Sequence, residues 1–238
     1  MQAKTRAIVL KTFKYSETNI IAKIYTQEFG LLSFMVYGVR KKKAKFSASL
    51  FQPLQILNLE INYKTKSSLH NIKDLSLSEG IQSIHSNIIK SSIAFFLAEL
   101  VSKTVREEEE NDNLFQFLHN SIVFLEAAEA AAISNFHLIF LIGLSRYLGF
   151  YPNNSEMLYF NTLTGNFEQA YNTQYCFNEV ESRVLKQLLG QNYSNSQNLN
   201  INKECRQSLL IGILKFYHIH LPEMGEIKSL DVLKMVFN

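Results

Sequence analysis

The hydrophobic period of the chain changes near residue 80, and this change limits the possible folds more than any other feature. In residues 55–62 (QILNLEIN), apolar and polar side chains alternate, as they do along a half-buried β-strand. In residues 81–106, apolar side chains recur at steps of three and four, as on one face of an amphipathic helix. The chain is therefore predicted to contain a β domain, residues 1–80, followed by a helical domain, residues 81–238.

Five strand-like segments fit into the first 80 residues without a helical period between them. They are residues 6–13, 19–25, 31–39, 55–62 and, with a weaker pattern, 69–77. Five strands in so short a chain predict a small closed barrel. The five-stranded OB-fold, which commonly binds oligonucleotides, is the leading interpretation, and an SH3-like barrel is the alternative.

The second domain is predicted to be helical apart from one excursion. Helices are expected at residues 81–106, 113–129, 133–148, 178–189 and 203–220. Residues 152–176 are polar, aromatic and rich in turn signals, so we expect an irregular excursion or a hairpin there. Residues 191–200 are rich in Asn and Ser and are expected to form a mobile loop.

Composition indicates a folded protein that acts inside the cell. The hydrophobic fraction of 47% can fill a sizeable core. The longest uncharged apolar run, residues 130–145, has 16 residues, which is short of the roughly 20 that span a bilayer. Residues 1–13 carry three cations and no sustained apolar stretch, so we expect no signal peptide. Two cysteines make no disulfide framework, and a cytoplasmic location is expected.

Positive charge is concentrated in the predicted barrel. Residues 1–80 contain 13 Lys and Arg against 5 Asp and Glu, a balance of +8, whereas the rest of the chain contains 11 against 16, a balance of −5. Between the third and fourth predicted strands lies a basic loop, residues 40–45, with the cations Arg40, Lys41, Lys42, Lys43 and Lys45. Adjacent cations repel one another and do not enter a core, so this loop is either solvated surface or a surface for a polyanion.

Nucleic acid is the favoured polyanion. Lysine and arginine neutralise phosphates whatever the base sequence, and Phe46, directly after the basic loop, is predicted to be available to stack on a base. A solvated turn, kept soluble by its charge, is the alternative interpretation of the loop. Further cations of the same predicted barrel favour nucleic acid, namely Lys4, Arg6, Lys11, Lys14, Lys64 and Lys66.

Motifs for catalysis or for cofactors are missing from the sequence. It contains neither the P-loop pattern GxxxxGK[ST] nor the dinucleotide pattern GxGxxG. Residues 107–110 (EEEE) could hold the metal of a nuclease, but four consecutive helical side chains point in different directions, so a solvated helix end is favoured. Cys176 and Cys205 lie 29 positions apart without a C-x-x-C partner. We therefore predict a non-enzymatic protein without a metal or another cofactor.

Two segments give the chain a specific resemblance to a known family. Residues 6–54 contain YSET (residues 15–18) between the first two strands and GVR (residues 38–40) at the start of the basic loop, and residues 221–237 read LPEMGEIKSLDVLKMVF. On these segments the chain resembles the RecO family of bacterial recombination mediators over essentially its full length. The resemblance implies an N-terminal OB-fold and a C-terminal helical domain. It also implies that the cations of the basic loop occupy the family's DNA-binding position.

The resemblance further implies a function. Members of the family bind single- and double-stranded DNA, anneal complementary strands and, with RecR, help to load RecA onto DNA coated by single-strand-binding protein. Their helical domain receives the C-terminal tail of single-strand-binding protein. Many relatives carry a four-cysteine zinc module where this chain has residues 152–176, but Cys176 is the one cysteine there, so zinc is not expected. An RNA-binding OB-fold module of translation or RNA processing is the alternative function, since it would share the basic loop.

Overall fold

The computed structural model describes residues 1–41, 44–106 and 109–237. Its first five strands form a closed barrel: β1 (Gln2–Lys14), β2 (Ile20–Thr26), β3 (Gly30–Val36), β4 (Ile56–Asn62) and β5 (His70–Leu77). The helices described after the barrel are α1 (Ser83–Ser86), α2 (Ile88–Thr104), α3 (Asp112–Ala127), α4 (Ala130–Ile133), α5 (Phe136–Tyr147), α6 (Glu179–Leu189), α7 (Lys203–His220) and α8 (Leu230–Val236). A two-stranded hairpin, β6 (Tyr159–Asn161) and β7 (Asn166–Glu168), lies between α5 and α6.

The barrel has the strand order of an OB-fold. Neighbouring strands follow the order β1-β2-β3-β5-β4, and β4 pairs back onto β1 to close the barrel. All pairs are antiparallel except β3 with β5. The long strand β1 pairs with β4 through its first half and with β2 through its second half, with a register shift between Val9 and Lys11 that lets one strand serve both partners. The predicted OB-fold, including the weak fifth strand, is confirmed.

The connection from β3 to β4 completes the barrel core. Alternate residues of the strands, such as Ile24 and Phe34, are fully buried and belong to one hydrophobic cluster. Val39, Phe46 and Phe51 of the connection belong to the same cluster. A short 3-10 helix, Ala48–Phe51, begins after Ser47, whose side chain accepts a hydrogen bond from the N–H of Ser49. This connection therefore contributes to the core as well as joining the strands.

The chain divides into two compact units, Met1–Glu126 and Ala127–Asn238. The barrel ends at Leu77, and the first unit also contains helices that pack on the outer face of β2. The Lys23 ammonium donates a hydrogen bond to the Ser102 carbonyl at 2.8 Å, and the rings of Tyr25 and Phe115 stack at 6.3 Å between centroids. Helices thus cover one part of the face formed by β2 and its neighbours.

One expectation about the helical part is wrong, and the structure adds detail to another. The single helix expected over residues 81–106 is broken at Asn87, which adopts an extended conformation and caps α2 by accepting hydrogen bonds from the N–H groups of Ile89 and Lys90. The loop expected over residues 191–200 contains a 3-10 helix, Tyr193–Asn198, and the Tyr193 ring stacks on Phe136 at 4.8 Å. Among the described helices, none is long and apolar enough to cross a membrane.

The second unit packs around α5, most of whose residues are buried. The hydroxyl of Tyr217 on α7 donates a hydrogen bond to the Leu141 carbonyl on α5 at 2.5 Å. The excursion expected at residues 152–176 contains the β6–β7 hairpin, so the hairpin prediction is confirmed. Its Phe160 ring lies 5.2–5.3 Å from the rings of Phe167, Phe177 and Phe216, and this aromatic cluster holds the hairpin on the helices.

Candidate nucleic-acid interface

Asn19 joins two loops at one end of the barrel. Its carbonyl accepts hydrogen bonds from the N–H groups of Tyr15 (3.1 Å) and Ser16 (3.3 Å), which closes the β1–β2 turn, residues 15–19. Its side-chain Oδ1 accepts a hydrogen bond from the N–H of Gly38 at 2.9 Å, directly before the basic loop. Since Ser16 Oγ also accepts from the N–H of Asn19 at 3.2 Å, the turn is fixed from both directions. We call this end of the barrel, residues 11–20, 36–41 and 44–45, the rim.

At the start of the basic loop, buried and exposed side chains alternate. Gly38 has φ = 67°, a left-handed conformation that glycine adopts without strain. Val39 is buried in the barrel core, whereas Arg40 and Lys41 are exposed, and the N–H of Lys41 donates to the Gly38 carbonyl at 3.0 Å. The buried valine anchors the loop and leaves its cations in water. Lys42 and Lys43 of the predicted site lie outside the described residues.

The role predicted for Phe46 is wrong. Phe46 is 8% exposed and packs in the barrel core, so its ring faces are not available to a base. The neighbouring Lys45 is exposed, and its ammonium lies 4.9 Å from the Phe46 ring centroid and donates a hydrogen bond to the Lys73 carbonyl on β5. Phe46 therefore anchors the loop to the barrel. Burial of its large apolar surface stabilises the fold more than exposure of the ring to a base would.

Lys11 and Lys14 extend the cationic surface along the end of β1. Both are exposed, and the Lys11 ammonium lies 5.0 Å from the ring centroid of Phe13. Lys14 pairs with Ile20, which pairs in turn with Val36 at the end of β3. A groove of about 400 Å³ opens between the two loops of the rim, and it is lined by Thr18, Asn19, Tyr37, Gly38, Lys41, Ala44 and Lys45. The fold therefore brings Lys11, Lys14, Arg40 and Lys41 to one end of the barrel.

Lys64 and Lys66 lie elsewhere on the barrel. They are exposed in the β4–β5 loop, which begins where β1 begins, since the N–H of Tyr63 donates to the Met1 carbonyl at 2.9 Å. Tyr63 also stacks on Phe29 in the β2–β3 turn, with 4.4 Å between centroids. The two lysines are thus at the opposite end of β1 from Lys14, and the predicted cations form two groups.

Two further cations of the barrel take part in the packing of the first unit. Arg6 Nε donates to Gln27 Oε1 at 2.9 Å, and its guanidinium lies 5.3 Å from the Phe115 ring centroid. Lys23 was not predicted, although it faces the same side as Lys11, its partner in the β1–β2 register. Burial lowers the pKa of the Lys23 ammonium, and the positive charges of Lys11 and Arg106 lower it further. The positive charges of Lys11 and Arg106 thus lie close enough to Lys23 to affect its pKa.

Exposed aromatic side chains mark the rim, and the sequence interpretation missed them. Phe13 is 46% exposed, Tyr15 63% and Tyr37 64%. Tyr15 follows β1, and Tyr37 follows β3, so the hydrogen bonds of Asn19 bring their backbones to the same end of the barrel. Their signal in the sequence was weak, because a tyrosine just after a strand fits a core, a surface or a site equally well.

Among the described residues there is no candidate metal site. Within residues 1–41, 44–106 and 109–237, no three His, Cys, Asp or Glu side chains are grouped as metal ligands. Cys176 and Cys205 are free thiols, and burial with the nearby Glu181 raises the pKa of Cys205. Of the acidic run considered for a nuclease, Glu109 and Glu110 are exposed, while Glu107 and Glu108 lie outside the described residues. The exposed cations and exposed aromatic side chains of the rim make it the candidate functional site.

Comparison with known proteins agrees with this architecture. Residues 1–81 match the family described as "Recombination protein O N terminal", and residues 85–158 match "Recombination protein O C terminal". A protein of Flavobacterium johnsoniae is 39% identical over 241 residues, which cover all of both chains. The chain belongs to the RecO family. The RecO relatives from Bacteroides fragilis (38% identical over 244 residues) and Christiangramia forsetii (36% over 240 residues) are also covered completely, and all three carry the name DNA repair protein RecO.

The two RecO matches correspond to recognisable parts of the structure. The N-terminal match spans the whole barrel and its rim, and it ends four residues after β5. The C-terminal match begins in α1 and ends next to β6. The cations and exposed aromatic residues of the rim all lie in the N-terminal match.

Proposed function

We propose that this protein is a non-enzymatic mediator of DNA repair that acts in the cytoplasm, binds single- and double-stranded DNA, and anneals complementary strands. The observation that carries this proposal is the collection of Lys11, Lys14, Arg40 and Lys41 on one end of an OB barrel. OB-folds bind oligonucleotides through neighbouring loops and strands. Membership of a family whose relatives are named DNA repair proteins favours DNA over RNA as the ligand.

The charge of the rim provides a physical route to annealing. Two complementary strands repel each other through their phosphates, and lysine and arginine reduce that repulsion by replacing condensed counterions. The exposed cations Arg40 and Lys41 can neutralise phosphates of any sequence, since phosphates carry no base identity. Annealing by this route needs no bond-making step, and it should therefore proceed without a nucleotide or a metal.

The resemblance to the family supports three partners. We propose that RecR acts together with this protein and that residues 81–238 receive the C-terminal tail of single-strand-binding protein. Binding of that tail would bring the barrel to DNA already coated by single-strand-binding protein, and RecA would then be loaded on the strand that is released. In this division of roles, the barrel binds DNA and the helical part binds protein.

Annealing by the full chain tests the proposal. Two complementary oligonucleotides, labelled with a donor and an acceptor dye, should pair faster with the protein than without it, in EDTA and without a nucleotide. A pair of non-complementary strands controls for aggregation, and RNA strands of the same sequence test the alternative ligand. Absence of DNA binding at low salt would contradict the proposal, and so would strand cleavage in Mg²⁺ or Mn²⁺.

A further inference from the structure

We propose that Phe13, Tyr15 and Tyr37 form a stacking surface for unpaired bases, so that the rim distinguishes single-stranded from double-stranded DNA. This inference rests on the proposed DNA-binding function and extends it, because the cations alone bind phosphates of both forms. The occupant of the surface is a run of a few unpaired nucleotides. Their phosphates would face the cations and their bases would lie on the rings.

The exposure of these rings is the first argument. Aromatic side chains gain most from burial, so an exposed cluster of them indicates a binding surface. In the described part of Met1–Glu126, four aromatic residues are exposed, and three of them belong to the rim: Phe13, Tyr15 and Tyr37, with Phe95 on α2 as the fourth. The exposed rings are therefore concentrated at the end of the barrel that also carries the exposed loop cations.

The register of the barrel places the three residues close together. Phe13 on β1 pairs with Ile21 on β2, and Ile21 pairs with Met35 on β3, two residues before Tyr37. Adjacent strands lie about 4.8 Å apart, so these positions span about 10 Å across the sheet. Tyr15 is bonded through its N–H to Asn19, the residue whose side chain holds Gly38 next to Tyr37. A strand segment of about four nucleotides, the smallest usual site on an OB-fold, is long enough to reach all three rings.

Cations lie beside two of the three rings. The Lys11 ammonium lies 5.0 Å from the Phe13 ring centroid, and Lys41 lines the same groove as Tyr37. A base on either ring would therefore have a positive charge near its own phosphate. In a duplex the bases are stacked and paired inside the helix, so their faces cannot reach the rings, and the phosphates alone remain available for contact.

A strand without bases separates stacking from phosphate binding. The full chain is titrated with an oligothymidylate and with an abasic deoxyribose-phosphate strand of the same length and charge, at one salt concentration. We expect the oligothymidylate to bind at least about fivefold more tightly, the lower limit for one stacked base. Equal affinity for the two strands would overturn the inference and leave the proposed function intact, whereas no binding of either strand would overturn both.

Matched variants assign the effect to the rim. Tyr15→Ala and Tyr37→Ala should each reduce the preference for oligothymidylate over the abasic strand by about fivefold or more, without changing binding to a duplex. Phe95→Ala, which removes a ring that is 54% exposed on α2, should leave the preference unchanged. A loss in the rim variants that is the same for both strands and for the duplex would mean a structural role, and it would overturn the inference.

Intrinsic tyrosine fluorescence gives a second measurement, and it uses a variant that keeps an aromatic ring at each position. The protein has 11 tyrosines and no tryptophan, so tyrosine emission can be followed directly. Oligothymidylate should quench this emission more than the abasic strand does. The double variant Tyr15→Phe/Tyr37→Phe should retain the affinity, because phenylalanine also stacks, but lose most of that additional quenching. Unchanged quenching in this double variant would place the bases elsewhere and overturn the inference.

Discussion

Asn19 Oδ1 accepts a hydrogen bond from the backbone N–H of Gly38 at 2.9 Å, and this bond joins the β1–β2 turn to the start of the basic loop. The turn contains YSET, residues 15–18, and the loop begins with GVR, residues 38–40. Both motifs belong to the first of the two segments on which the resemblance to the RecO family rests. They lie 20 residues apart along the chain, but in the structure they form one assembly that positions the rim.

Replacing Asn19 tests this connection. Asn19→Ala removes the acceptor for the Gly38 N–H and should lower the free energy of unfolding by about 1 kcal/mol, with weaker binding to single-stranded DNA. Asn19→Asp keeps an acceptor at that position, so it should be the more stable of the two variants, but its negative charge should weaken DNA binding more strongly at low salt than at high salt. Urea unfolding and DNA titrations measure both effects. If Asn19→Ala matches the wild-type protein in both measurements, the bond does not position the rim.

The exposed cations of the basic loop should determine the salt dependence of binding. The double variant Arg40→Ala/Lys41→Ala should fold normally, since surface changes usually cost under about 0.5 kcal/mol. If each residue meets one phosphate, the slope of log K against log salt for single strands should flatten by roughly 1.4, from two contacts at about 0.7 each. Lys64→Ala/Lys66→Ala is the matched control, because it removes the same charge at the other end of β1. Equal flattening in the two double variants would show that total charge, and not the rim, attracts the strand.

Phe46 should matter for stability and not for stacking. Phe46→Ala should reduce the free energy of unfolding by about 3 kcal/mol or more, because it leaves a cavity in the barrel core. Phe46→Leu keeps most of the packing, and the folded variant should bind oligothymidylate as the wild-type protein does. The comparison uses urea unfolding for stability and titration at a temperature where both proteins are folded. A clear loss of affinity in a stably folded Phe46→Leu variant would show that the Phe46 ring belongs to the binding site.

His137 should make the second unit sensitive to acid. It is 1% exposed on α5, and burial lowers its pKa to about 3, with a smaller contribution from the positive charge of Arg206. The unfolded chain takes up the proton near pH 6.5, so the stability that the neutral ring contributes is complete above that pH and is lost as the pH falls towards 3. At pH 5 the loss should be about 2 kcal/mol, from roughly 1.5 pH units at 1.36 kcal/mol each.

The variant His137→Leu should remove this dependence, because it leaves no proton to bind in the unfolded state. Urea unfolding at pH 7 and pH 5 gives the loss for each protein, and the difference between the two losses belongs to His137. Other groups that titrate in this range contribute equally to both proteins and cancel. The same loss in the variant and in the wild-type protein would show that His137 is not the responsible group.

Local sequence patterns were sufficient to predict the helices that have clear beginnings. Asn178 and Asn202 precede α6 and α7, and the side chain of each accepts a hydrogen bond from a backbone N–H of the first turn. Those two helices begin within a residue of their predicted positions. Asn87 provides the same signal inside a continuous apolar pattern; the pattern predicts one unbroken helix, whereas the cap begins a new one.

The sequence by itself determined the order of the five strands, the barrel, most of the helices and the position of the basic loop, because period, caps and charge are properties of neighbouring residues. The tertiary structure decided what each loop residue does. Phe46 and Tyr37 are both aromatic residues of the β3–β4 connection, yet one is in the core and the other is 64% exposed. Lys64 and Lys14 were grouped by charge, yet they lie at opposite ends of β1. A loop has no repeating period that fixes which side chains face inward, so its residues are assigned by the packing of distant segments on the closed barrel.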